Sequence, residues 1–325
     1  MRVQVVGAGS FGLALARVVA LNGHTVRLWC RREAETEELR RTRSSRTYLP
    51  NVHLPESVDL DRSPDATADL VLLAVPSHAL RAVLRDLPLP AQAIRVSVAK
   101  GIEVDTLKRM SEVIAEVAPG GPIAVLSGPS HAEEVADDLP TSVVIAAAET
   151  EAAEAAQEVF FSTMFRVYTS NDVVGVELGG ALKNVIAIGA GVCDGFGLGD
   201  NAKAALITRG LAEIARLGIA CGADPITFSG LSGMGDLIAT CESRHSRNRA
   251  VGEAIAQGKT LAEILAGTTM VAEGVRTAKS AVALAAKMDV EMPIASAVHR
   301  VLYEGASAQE ALVELLTRGA KPERY

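Results

Sequence analysis

Aromatic residues are scarce in this chain of 325 residues, at 3%, which excludes a stacking platform for single-stranded nucleic acid. Positive charge is not in excess either. Lys and Arg number 32 against 39 Asp and Glu, and the net charge of −7 gives no general attraction to DNA or to anionic membranes. The four cysteines, Cys30, Cys193, Cys221 and Cys241, form no C-x-x-C pair, and the six histidines include no H-E-x-x-H, so no metal or redox motif is legible. Internal repeats, low-complexity tracts and long linkers are absent. Long hydrophobic runs are almost absent. The one around Lys183 covers roughly 20 residues, enough to span a bilayer by length. A lysine at its centre would cost about 2.5–3.5 kcal/mol there, and no further span accompanies it, so stable membrane insertion is not expected. A strand that opens at the second residue leaves no room for a secretion signal, and a cytoplasmic protein is the expectation.

Core material, by contrast, is plentiful, at 49% hydrophobic residues. Arg2 to Val6 reads as a buried strand that runs into Gly7-Ala-Gly9-Ser10-Phe11-Gly12 and then an apolar helix. This is G-x-G-x-x-G between a strand and a helix, the context in which it binds a dinucleotide. Gly7 makes the tight turn, Gly9 lets backbone approach a pyrophosphate, and Gly12 lets helix and strand pack. The helix N-terminus adds N–H groups for the phosphates. The second strand, Thr25 to Cys30, is followed by Arg31 and Arg32 where an NAD site usually has an acidic residue. Two guanidinium groups suit a 2′-phosphate, so NADPH is favoured over NADH. Glu33 and Glu35 keep open the alternative of a solvated basic turn.

Residues 36–65 read as polar and irregular. Strands are expected at Leu70–Val75, Ile94–Ala99 and Ile123–Ser127, the last followed by a helix from Gly128-Pro129-Ser130. Strands alternating with helices predict a doubly wound parallel sheet, with ligands outside the carboxyl ends of its strands. Ser10, Arg31, Pro76, Lys100 and Ser130 all fall at such ends and are expected to share one crevice. Ser142–Ala147 and Phe165–Tyr168 read as later, antiparallel strands. His131 is equally readable as a packed histidine or a ligand group. From Asp172 onward strands give way to helical periodicity, which puts a domain boundary near Ser170 and predicts domains of residues 1–170 and 171–325.

The second domain opens with a helix, Asp172 to Cys193, that is apolar on nearly every face and therefore buried. Its interior charges, Glu177 and Lys183, stand about 120° apart around the helix and are no obvious pair. A buried lysine is costly unless an anion meets it. Lys183 is either a core lysine paired with a distant carboxylate or a lysine waiting for a ligand. A second long helix is expected over Asn201 to Gly218. Farther along, Asp236 and Thr240 fall at i and i+4, on one face of a short helix. Ser246 is a good N-cap for a helix running to Gln257, which puts Arg247 and Asn248 in its first turn. An arginine is electrostatically out of place there unless an anion joins it; the alternative is an exposed basic loop. Gly230-Leu-Ser232-Gly-Met234 is no nucleophile elbow, because Met234 stands where glycine is required. Amphipathic helices, with Met288 and Met292 as filler, run to Thr317.

Taken together, G-A-G-S-F-G (Gly7–Gly12), A-V-P-S (Ala74–Ser77), S-V-A-K-G-I-E (Ser97–Glu103), S-G-P-S (Ser127–Ser130), G-A-L-K-N (Gly180–Asn184), G-D-N-A-K-A-A (Gly199–Ala205), L-S-G-M-G-D-L (Leu231–Leu237), Arg247-Asn248 and V-A-E-G (Val271–Gly274) resemble, in this order and over the full chain, the bacterial-type NAD(P)-dependent glycerol-3-phosphate dehydrogenases. The resemblance implies an N-terminal Rossmann-type doubly wound sheet followed by an all-helical C-terminal domain that takes part in dimerisation, so a homodimer is expected. It implies that dihydroxyacetone phosphate is reduced to sn-glycerol 3-phosphate with NADPH or NADH, feeding glycerophospholipid synthesis. Lys183 matches the family's proton donor and acceptor. Lys100, Gly128, Ser130, Asn184, Asp236, Ser246, Arg247 and Asn248 match substrate positions. Ser10, Phe11, Arg31, Arg32, Tyr48, Lys100, Ala132, Arg247, Val271 and Glu273, beside the motif glycines, match cofactor contacts. The competing readings are a β-hydroxyacid dehydrogenase, whose substrate carries a carboxylate, and a non-catalytic NADPH-binding sensor, which would need neither Lys183 nor Asp236.

Overall fold

The computed structural model describes residues 1–267, 272–319 and 323. Its first half is built on β1 (Arg2–Val6), α1 (Ser10–Leu21), β2 (Thr25–Trp29), α2 (Glu33–Thr42), β3 (Val58–Leu60), β4 (Leu70–Leu73), α3 (Ser77–Asp86), β5 (Ile94–Ser97), α4 (Met110–Val117), β6 (Ile123–Ser127), α5 (Ala132–Ala136), β7 (Thr141–Ala147), α6 (Thr150–Phe160) and β8 (Phe165–Ser170). The strands form one sheet in the order β3-β2-β1-β4-β5-β6-β7-β8. The first six run parallel, with Val3 opposite both Val26 and Leu70. Strands buried on both faces read as near-continuous apolar runs, and β4 is apolar and buried at every residue. β7 pairs antiparallel to β6 and β8 parallel to β7, so both later strands run against the first six, although β8 has a parallel neighbour. The chain leaves β1 for β2 on one side and reaches β4 on the other. That reversal opens a crevice at the carboxyl ends of β1 and β4.

Two expectations are corrected here. Residues 36–65, read as irregular, contain most of α2 and all of β3. α2 has only Thr36 and Leu39 buried, so it carries almost no apolar period; acidic Glu33 and Glu35 in its first turn and Arg40 and Arg41 in its last suit the helix dipole instead. β3 is a three-residue edge strand, too short to show alternation. The helix expected from Ser130 begins at Ala132 and spans five residues.

The second half is helical: α7 (Val173–Gly195), α8 (Gly199–Ala220), a 3-10 turn (Pro225–Ser229), a π turn (Leu231–Gly235), α9 (Asp236–Glu242), α10 (Arg247–Ala256), α11 (Leu261–Ala266), α12 (Glu273–Lys287), α13 (Pro293–Tyr303) and α14 (Ala308–Leu316). Asp172 caps α7 by accepting from the Gly175 N–H at 2.8 Å, and the same side chain accepts from Thr227 Oγ1 at 2.6 Å. Among the described helices only α7 is long and apolar enough to cross a membrane, and 89% of its most apolar window is buried inside the fold. It is the central post of this half. Buried Glu177 ties it to the sheet half, accepting from Arg109 Nη1 at 2.7 Å, Ser111 N at 2.8 Å and Ser111 Oγ at 2.6 Å. Burial pushes this carboxyl up, against the pull of Arg109 and Ser111.

α7 and α10 touch backbone to backbone at Gly191 and Gly252. A Cβ on Gly252 would lie 1.9 Å from the Ile188 carbonyl oxygen, and one on Gly191 1.9 Å from that of Arg249. Neither obstacle is a side chain that could turn away. Gly252→Ala should therefore destabilise the protein by about 1–3 kcal/mol or more, the range for overpacking, read as a lower urea midpoint. An unchanged midpoint would show that the two helices are not held this close.

Candidate active site

Backbone geometry sets the first part of the site. Gly7 takes φ +113°, and a Cβ on Gly12 would lie 2.0 Å from the Gly7 carbonyl oxygen. Gly9, the residue before α1, has nothing within 4 Å of where its Cβ would stand, so the space over the helix N-terminus is open. From there a cleft of about 480 Å³ runs along the strand ends. Its far wall near β2 holds Trp29, Arg31, Arg32, Glu35 and Tyr48. Arg32 donates to Tyr48 Oη at 3.1 Å and pairs with Glu35 at 2.8 Å, while Ser10 Oγ donates to the Tyr48 carbonyl at 3.0 Å. The basic turn is thus partly neutralised by its own glutamate and still faces the cleft.

The second part is a buried charge cluster. Lys183, from the middle of α7, has a side chain only 6% exposed. Its Nζ donates to Asp236 Oδ1 and, at 2.7 Å, to Thr240 Oγ1. The other oxygen, Asp236 Oδ2, accepts from Lys100 Nζ at 2.8 Å, and Lys100 also donates to the Gly128 carbonyl at 3.0 Å. One carboxylate therefore serves two ammonium groups. Burial lowers Lys183 to about 7, with Asp236 pulling it up and Lys100 pushing it down. For Asp236 burial works upward, but Lys100 and Lys183 outweigh it and hold the carboxyl below its ordinary value. Lys183 has a carboxylate partner distant in sequence, as the first reading expects, and it also lines the cleft.

The third part is the start of α10. Ser246 caps it, accepting from the Arg249 N–H at 3.2 Å, with Arg247 and Asn248 next in the chain. Asn248 Nδ2 donates to Asn184 Oδ1 at 2.9 Å, and Asn248 Oδ1 accepts from the Gly274 N–H at 2.9 Å. The two amides brace α7, α10 and α12 against one another. At the head of α12 the Glu273 carboxylate accepts from Ser77 N at 3.0 Å and Ser77 Oγ at 2.5 Å, across to the sheet half.

Of the residues expected at the site, Gly7, Gly9, Ser10, Phe11, Arg31, Arg32, Tyr48, Lys100, Ser130, Ala132, Lys183, Asn184, Ser246, Arg247, Asn248 and Glu273 line this one cleft, as does Pro76. Three expected residues stand behind the wall instead. Gly12 packs on Gly7, Gly128 holds Lys100 by its carbonyl, and Asp236, its side chain 2% exposed, holds both lysines. Val271 lies outside the described residues. The cleft also takes in Trp29, His78, Glu133 and His245. Trp29 is the last residue of β2 and Glu133 follows shortly after Ser130, so strand ends could have signalled them; nothing in the local pattern marks His78.

Family models for the NAD-dependent glycerol-3-phosphate dehydrogenase N-terminus and C-terminus match residues 2–153 and 172–313. The chain belongs to the NAD-dependent glycerol-3-phosphate dehydrogenase family. It is 53% identical to the glycerol-3-phosphate dehydrogenase [NAD(P)+] of Pelotomaculum thermopropionicum, covering 98% of this chain and 93% of that one. With the enzyme of the same name from Chlorobium phaeobacteroides it shares 50% identity over 99% of both chains. The crystal structure of glycerol-3-phosphate dehydrogenase from Coxiella burnetii superposes with a TM-score of 0.93 at 38% identity, over 98% of this chain and 99% of that one.

The cleft fits the dinucleotide such an enzyme needs: open space over Gly9 at a helix N-terminus for the pyrophosphate, and guanidinium groups at the end of β2. The Lys183–Asp236–Lys100 arrangement also makes a prediction of its own. In Asp236→Asn the anion is gone and the two lysines face each other, so the Lys183 pKa should fall below its value of about 7. The pH dependence of Lys183 acylation by an amine reagent, followed by peptide mass spectrometry, measures this; a pKa that stays or rises would refute the shared-carboxylate account.

Proposed function

We propose that the chain reduces dihydroxyacetone phosphate to sn-glycerol 3-phosphate with NADPH or NADH, supplying glycerophospholipid synthesis. The observation that carries the assignment of roles is Lys183: a buried ammonium group near neutrality that nonetheless opens on the cleft. When bound, the nicotinamide supplies a hydride to the C2 carbonyl carbon. Lys183 donates its proton to the C2 oxygen as negative charge builds there, and takes it back in the reverse direction. Lys100, beside it, stabilises the same developing charge. Asp236 fixes the position of both lysines, and Thr240 holds Lys183 from the next turn of α9. The substrate phosphate is held by Ser246, Arg247 and Asn248 at the start of α10, where N–H groups and the helix dipole favour an anion. A non-catalytic sensor would leave the Lys183–Asp236–Thr240 cluster without a purpose. Arg31 and Arg32 meet the adenosine 2′-phosphate and favour NADPH. This reading further includes a division into domains near Ser170, a cytoplasmic location and a homodimer.

Lys183→Ala should lose about 10²–10⁴-fold in turnover while NADPH still binds, followed by nicotinamide absorbance and fluorescence titration. In the intact enzyme Lys183 must be protonated to donate, so kcat/KM for the ketone should fall as pH rises through about 7, and kcat/KM for the alcohol should rise over the same window. Full activity in Lys183→Ala would end the assignment.

Replacing Arg31 and Arg32 by Ala should weaken NADPH binding by about tenfold or more for each guanidinium removed and leave NADH nearly unaffected. Equal weakening for both cofactors would remove the 2′-phosphate role.

A further inference from the structure

Two histidines in the cleft have no part in the chemistry above. His131 stands at the start of α5, and His245 directly precedes the Ser246 cap of α10. Both line the cleft, and their rings lie 6.1 Å apart, tilted by 46°. His131 sits close enough to Lys183, Lys100 and Asp236 to feel all three charges, whereas His245 adjoins the segment that starts α10. The pair thus extends from the buried lysines toward the anion-binding helix end, the direction in which a three-carbon phosphate must lie if the function proposed above is right.

The two rings differ in what they can offer. His131 Nε2 meets the Ala239 carbonyl oxygen at 3.4 Å. A carbonyl only accepts, so Nε2 carries the proton, and in the neutral ring Nδ1 is left as an acceptor. Burial, and then Lys183, push His131 down and keep it neutral. Among the described residues, the His245 ring has no hydrogen-bond partner, although it lines a polar cleft. An unused imidazole beside a phosphate site has an N–H to give.

We propose that His131 and His245 read the two ends of the substrate: His245 donates to the phosphate, and His131 accepts from the free hydroxyl. This inference rests on the ketone phosphate reading and adds to it the basis on which the enzyme tells that substrate from smaller ketones and from ketones that lack the hydroxyl.

Three ketones separate the two contacts. Dihydroxyacetone phosphate has both groups, dihydroxyacetone lacks the phosphate, and hydroxyacetone phosphate lacks the free hydroxyl. His245→Phe keeps a ring and removes the N–H. It should raise KM about tenfold for the two phosphorylated ketones, the effect of one charge-assisted hydrogen bond, with kcat, NADPH affinity and kcat/KM for dihydroxyacetone unchanged. His245→Gln, which restores a donor, should recover most of the loss. His131→Phe should lower kcat/KM about threefold to tenfold for the two ketones with a free hydroxyl, the effect of one hydrogen bond between neutral groups, and spare hydroxyacetone phosphate. A uniform loss on all three ketones, a weakened NADPH affinity or unchanged kinetics in both variants would overturn the proposal. A wild-type enzyme inactive on dihydroxyacetone phosphate would overturn the functional reading and this inference with it. An active wild type with insensitive variants would overturn this inference alone.

Discussion

A single buried carboxylate holds the site together. Asp236 lies between Lys183 and Lys100, so groups from α9, α7 and the end of β5 converge on two oxygen atoms. Were it removed, two ammonium groups would face each other in a nearly dry space, an arrangement that costs several kcal/mol per ion in the absence of partners. Its presence keeps Lys183 close to neutrality instead of far below it. A lysine in that range can both give and take a proton at physiological pH, which is what a reversible ketone–alcohol conversion asks of its acid.

The rest of the helical half keeps this carboxylate and its lysines in register with the strand ends. Gly191 and Gly252 allow α7 and α10 to approach until backbone meets backbone, which sets the start of α10 at a fixed distance from Lys183. The Asn184–Asn248–Gly274 relay then locks α12 to the same pair. Glu177 with Arg109 and Ser111, and Glu273 with Ser77, fasten the helices to the sheet at two separate points. Each of these contacts is buried or partly buried, and every carboxylate in them accepts at least two hydrogen bonds.

Much of the fold was legible, for identifiable reasons. β1, the glycine turn and α1 form one local unit of fixed spacing, and strands such as β4 are apolar throughout because they are covered on both faces. α7 announced itself by apolarity on all faces, and Ser246 by its capping chemistry. What stayed hidden lacked a local period. α2 is almost wholly polar, β3 is three residues long, and α5 is barely more than a turn. In the site, the crevice shared by Ser10, Arg31, Pro76, Lys100 and Ser130 followed from topology alone. The partial neutralisation of Arg32 by Glu35, and the placement of Asp236 behind the wall instead of in it, did not.

The sequence by itself determined the local units that carry a period or a cap: β1 with the glycine turn and α1, the apolar strands, the N-terminus of α10, and the burial of one lysine in α7. Those properties depend on neighbours a few residues apart, and period and capping record them. Only the tertiary structure decided what that lysine does. Its partner Asp236 is 53 residues away, and Asp236 reaches a second lysine 136 residues away. Burial and Coulomb interactions act through distances in space, which no local pattern encodes, so the chemistry of Lys183 exists only once the sheet and the helices have closed around it.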